Sequence, residues 1–144
     1  MRVVLDTNVL VSGVISGNGP PRRLLDAAKA GVFELCTSEA LLAEMLDVLS
    51  RDKFAARLRQ AGLTPDGIVD DLRRIAIIVS PQAVPRVVAS DTDDDQVIAT
   101  AIAGRAELIA SGDKRDLLPM GSHAGIPIIT AREALERVEA RHKP

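Results

Sequence analysis

Aromatic side chains are scarce: across 144 residues there are two Phe and no Tyr or Trp. Proteins that grip single-stranded nucleic acid by base stacking need aromatic platforms. Phe33 and Phe54 are the only candidates here, so contact with RNA or DNA would run through phosphates. Cysteine is limited to Cys36, which excludes a disulfide framework and a thiolate zinc site; inside an apolar run it reads as a small buried hydrophobe. No apolar stretch approaches the ~20 residues that span a bilayer. The opening MRVVLDTN lacks the apolar core of a secretion signal. A cytoplasmic protein with no membrane association is the expectation. The net charge of −2 excludes a globally basic surface. No Ser/His/Asp spacing and no Walker-type loop is present. His123 and His142 sit in a Gly-flanked loop and near the end, as surface residues.

What the chain does have is aliphatic runs alternating with helical patterns. The length suits a single domain over residues 1–144. Val3-Val4-Leu5 reads as a buried strand ending in Asp6-Thr7-Asn8, followed by a loop containing Gly13, Gly17, Gly19 and Pro20. Pro21 starts a helix that Gly31 stops. Further strands are expected at residues 32–36, 75–79, 108–110 and 126–129. Helices follow Ser38, span 53–61 and 65–74, run to about Ala103, and close the chain from Ala131. Strands alternating with helices imply an α/β fold with a parallel sheet covered on both faces. In such sheets ligands bind beyond the carboxyl ends of the strands, where strand order reverses.

Acidic residues gather at those ends. Asp6 closes the first strand, as a turn former or cap or as part of a polar Asp-Thr-Asn cluster at the strand end. Asn8 could orient a neighbouring carboxylate. Glu44 lies about 40° beyond Val48 at the edge of its helix's apolar face, as a boundary residue or as a carboxylate aimed into a cleft. Asp91, Asp93, Asp94 and Asp95 crowd the start of another helix. The macrodipole and capping favour one or two acids there, but four exceed that use, and their repulsion calls for a counter-cation. Asp113 follows Ser111-Gly112 past the fourth strand, and Asp116 either joins it or caps Leu117-Leu118. Setting aside Asp6, Glu44, Asp94, Asp95, Asp113 and Asp116 leaves 18 bases against 14 acids. A mildly basic surface around a negative pit suits a polyanion held over a hard cation such as Mg²⁺ or Mn²⁺. The basic run Arg51, Lys53, Arg57 and Arg59 would hold the backbone, or is a solvated helix face.

With these residues in hand, the chain resembles PIN-domain proteins, and most of all the toxin components of type II toxin–antitoxin systems. VVLDTNVLVSG, SEALLAEMLDVLSRDKF, DTDDDQVIATAIAGRAELIASGD and KRDLLPMGSHAGIPIITAREALE carry the likeness over nearly the whole length. It implies a three-layer α/β/α sandwich around a central, mostly parallel five-stranded sheet. It also implies a Mg²⁺- or Mn²⁺-dependent endoribonuclease with an RNA substrate and a cognate antitoxin, often a homodimer. Asp6, Glu44, Asp94 and Asp113 match the catalytic acids, with Asp6, Asp94 and Asp113 on the metal. Counting back from Ala101 in a D-x₆-A pattern selects Asp94 over Asp95, and a one-residue slip would reverse that choice. Asn8, Asp95, Ser111 and Asp116 match supporting positions. Two alternatives stay open. A haloacid-dehalogenase-like phosphatase would use Asp6, Thr37 or Ser38, and the GDKRD segment, although it wants an acid where Asn8 stands. A non-catalytic domain would only bind RNA or protein.

Overall fold

The first strand is deeply buried, with Val3, Val4 and Leu5 fully inaccessible. The computed structural model describes residues 1–82 and 92–142, with side chains from Asp94 onward in the second segment. The expectations for Asp91 and Asp93 as cluster members lie outside the described residues. The order is β1 (Arg2–Leu5), α1 (Thr7–Ile15), α2 (Pro20–Lys29), β2 (Glu34–Ser38), α3 (Glu39–Leu49), α4 (Asp52–Gln60), α5 (Pro65–Ile75) and β3 (Ile77–Val79). It continues with α6 (Thr92–Gly104), β4 (Leu108–Ala110), α7 (Leu117–Met120), β5 (Ser122–His123), β6 (Ile126–Ile129) and α8 (Ala131–His142). Among the described residues no helix is long and apolar enough to cross a membrane.

The strands form one sheet in the order β3-β2-β1-β4-β6-β5. Five pair in parallel, as expected for the sandwich. A sixth strand was not anticipated: two-residue β5 adds antiparallel to β6 at the edge. Successive side chains alternate between faces. Val3, Leu5, Leu35 and Leu108 pack with residues of α1, α2, α3, α5 and α8. Val4, Cys36 and Ile109 pack with Val97, Ile98 and Ala101 of α6 on the other face. The chain steps outward from β1 to β3 and returns beside β1 as β4. The reversal that favours a ligand site therefore lies between the carboxyl ends of β1 and β4.

One expectation fails next to that reversal. The segment after Asp6 is a helix, α1, and not a loop. Asp6 starts it by accepting the Val9 N–H at 2.9 Å, the usual work of an N-cap. Gly13, expected in that loop, lies buried within α1. A Cβ there would fall 2.6 Å from Leu25 Cδ1 and 2.9 Å from the Pro21 carbonyl oxygen. Glycine at this position permits close approach of α1 to α2. Ser38 caps α3 as anticipated, accepting from Leu41 N–H at 3.4 Å.

Candidate active site

Asp6 is 4% exposed and fully engaged. While Oδ1 caps α1, Oδ2 accepts the Ser111 hydroxyl at 2.5 Å and the Gly112 N–H at 3.3 Å. The sheet register explains the meeting. Leu5 pairs with Ala110, so the next residues, Asp6 and Ser111, stand side by side as the two strands end. Ser111 Oγ also accepts the Asp113 N–H at 2.9 Å, so one hydroxyl joins the loops after β1 and β4. Burial pushes the Asp6 carboxyl above its ordinary value. Hydrogen bonds from Ser111, Val9 and Gly112 pull the other way, and the nearby Asp113 charge adds to the rise.

Asp113 organises the loop before α7. Its Oδ1 accepts from Arg115 N–H at 3.0 Å and Asp116 N–H at 3.3 Å, and its Oδ2 from Leu117 N–H at 3.1 Å. Burial alone would raise this carboxyl. A side-chain hydrogen bond with Asp94, together with the three backbone bonds, outweighs it and holds Asp113 below the usual value. Asp116 had been a candidate cap for α7, but its side chain makes no capping bond; Asp113 supplies that bond to Leu117.

The three half-buried acids Asp94, Asp113 and Asp116 each offer a carboxylate oxygen, all within 4.8 Å of one another. Asp94 comes from the first turn of α6 and the other two from the β4–α7 loop, so tertiary contact alone brings them together. The donors are hard oxygens, which fit Mg²⁺ or Mn²⁺ and suit a softer ion poorly. Its neighbour Asp95 is completely buried, and the two occupy different surroundings.

Glu44 reaches the same region indirectly. Its Oε2 accepts the Thr7 hydroxyl at 2.9 Å, tying α3 to the residue after Asp6. Asn8 had been expected to orient a carboxylate. Instead it is exposed, with no side-chain hydrogen bond among the described residues, and Thr7 takes that role. In the sequence Thr7 is only the middle residue of the Asp6-Thr7-Asn8 strand end. Its burial at 4% depends on α1 being a helix, which periodicity did not reveal.

The family model for the PIN domain matches residues 2–115, most of the chain and all of the acids above except Asp116. The chain belongs to the PIN domain family. This PIN domain also resembles a solved structure, VapBC2 from Rickettsia felis bound to a DNA fragment from their promoter. The TM-score is 0.59 at 15% identity, over 89% of this chain and 97% of that one. No curated protein matches the chain. Family membership displaces the phosphatase alternative, which also lacks its second acid, because the polar residue two beyond Asp6 is Asn8.

Proposed function

We propose that this PIN domain, a single nuclease domain over residues 1–144, is a Mg²⁺- or Mn²⁺-dependent endoribonuclease. In this reading it is the toxin of a type II toxin–antitoxin pair, a cytoplasmic homodimer silenced by its antitoxin. The observation that carries the nuclease reading is the meeting of Asp94, Asp113 and Asp116 within 4.8 Å, joined to buried Asp6 through Ser111. So many acids in one small volume repel unless a cation neutralises them. The toxin reading is supported by the family and by a fold shared with VapBC2.

Asp6, Asp94 and Asp113 would hold the metal, with Asp116 beside them. When bound, such an ion supplies charge stabilisation to a phosphodiester and lowers the pKa of water. Asp6 is held by the α1 backbone, Ser111 and Gly112 and would turn a remaining lone pair towards the cation. Asp113 is locked by three backbone N–H groups. Glu44, fixed through Thr7, orients the attacking water in line with the leaving oxygen. The products carry a 5′-phosphate and a 3′-hydroxyl.

The test is cleavage of a mixed RNA pool with Mg²⁺, Mn²⁺ or chelator, followed by end mapping. Metal-dependent cuts with 5′-phosphate ends, lost in Asp94→Asn, are the expected result. Intact RNA under every metal condition, with a folded wild-type protein, would leave only the non-catalytic binding domain. Light scattering of the purified chain tests the dimer, and co-purification with the product of an adjacent reading frame tests the antitoxin.

A further inference from the structure

A cleft of about 610 Å³ opens directly beside the acids, within the ~300–1,000 Å³ usual for ligand sites. Its walls are the first turns of α1, the Pro20-Pro21 start of α2, the β4–α7 loop, Leu118 and the start of α8. Ser111 and Gly112 belong both to this cleft and to the hydrogen bonds around Asp6, so the two are continuous. Their chemistry differs sharply. Among the described residues no carboxylate lines the cleft, whereas Lys114 and Arg132 enter it from two separate elements. Neither forms an ion pair among the described residues, while Arg22, Arg23, Arg73, Arg74 and Arg141 are all spent on acids. Two cations without an ion pair therefore stand beside the acids.

We propose that this cleft seats the RNA nucleotide next to the scissile phosphate, with Lys114 and Arg132 as positioning residues that hold its phosphate. The inference rests on the nuclease reading and adds to it the path of the strand. The remaining wall mixes aliphatic and proline side chains with the polar Asn8, Ser12 and Thr130, and carries no aromatic ring. The base is therefore held without ring stacking, by shape and the polar side chains of the wall. The basic run of α4 is not part of this path. Arg51 faces Asp47 at 3.6 Å, Lys53 lies over the Phe54 ring at 4.9 Å, and none of the four bases lines the cleft.

The experiment is equilibrium binding of a fluorescein-labelled, mixed-sequence single-stranded RNA octamer, read by anisotropy in EDTA across a salt series. Metal-free conditions separate binding from cleavage. Lys114→Ala and Arg132→Ala should each raise Kd about tenfold, the loss expected of one charge-assisted contact. Each should also reduce the steepness of the salt dependence by roughly 0.7, the counterion release of one single-strand phosphate. The charge-preserving pair Lys114→Arg and Arg132→Lys should stay within about twofold of wild type, and Arg59→Ala on α4 should change neither quantity. Wild-type Kd and slope in the alanine variants would overturn the proposal, as would no binding by wild type or an equal loss in Arg59→Ala. Cleavage judges the other reading separately. A protein that binds through Lys114 and Arg132 but cuts nothing keeps the cleft and loses the nuclease. One that cuts RNA with the cleft variants unimpaired keeps the nuclease and loses the cleft.

Discussion

Replacing Asp6 with Asn should make the metal-free protein more stable while abolishing its response to metal. Asn caps a helix as well as Asp does, so the bond to Val9 N–H survives. What disappears is a carboxylate 4% exposed with no cation beside it among the described residues. A buried ion costs several kcal/mol. Three hydrogen bonds to its charged oxygens recover about 1.5 kcal/mol or more each, and Asn gives up the one from Gly112 N–H, which would face its amide nitrogen. The raised pKa of Asp6 means that the burial cost outweighs those bonds, so Asn should melt above the ionised wild type. Folded Asp6 keeps its proton to higher pH than unfolded Asp6. Between the two pKa values the native state binds more protons, so wild-type stability falls as pH rises through that window. The advantage of Asp6→Asn is therefore absent in acid, below the ordinary carboxyl value of 3.8, and complete above the folded pKa. Asp6→Ala also loses the cap and strands the Ser111 hydroxyl, and should melt below Asp6→Asn by about 2 kcal/mol. Thermal melts at several pH values, with EDTA or Mn²⁺, read all of this. Metal at a hundred times its Kd stabilises wild type by about 2.7 kcal/mol and should leave Asp6→Asn unmoved. The reasoning is refuted if Asp6→Asn melts below wild type at pH 8 in EDTA, or if Mn²⁺ raises both proteins equally.

The adjacent acids of α6 should separate by phenotype: Asp94→Asn keeps the wild-type Tm within about 2 °C and loses Mn²⁺ binding by calorimetry. Asp95→Ala, at a fully buried position, costs about 1–3 kcal/mol of stability in urea melts. Asp113→Ala frees three backbone N–H groups and should cost about 1–2 kcal/mol at neutral pH. Because the folded Asp113 carboxyl lies below the usual value, that difference should persist down to pH 4 and close only as pH falls further. Gly104→Ala would place a Cβ well inside contact distance of Cys36 Sγ, an overpacking worth about 1–3 kcal/mol. Adding Cys36→Ala should recover much of that loss in a double-mutant cycle.

The parallel core was legible because Val3-Val4-Leu5 and Leu108-Ile109-Ala110 are unbroken apolar runs, a pattern that only a strand covered on both faces requires. The acids were legible as candidates for a related reason: short carboxylates at strand ends and one helix start are too many for capping alone. Helix α1 was hidden because Gly13 reads as part of a loop in one dimension, while in space it makes room for Leu25. Thr7 as the support for Glu44, and Asp113 in place of Asp116 as the cap of α7, were hidden with it.

Hydrophobic period and local charge are enough to specify the layered α/β architecture and the set of acids from which a site could be built. Which acids meet is set by packing. Asp94 and Asp113 are far apart along the chain, and Asp94 and Asp95 are neighbours with opposite fates because adjacent residues on a helix point about 100° apart. The cleft with Lys114 and Arg132 is likewise a product of packing: the loop after β4 and the start of α8 share a wall only because β4 and β6 lie side by side.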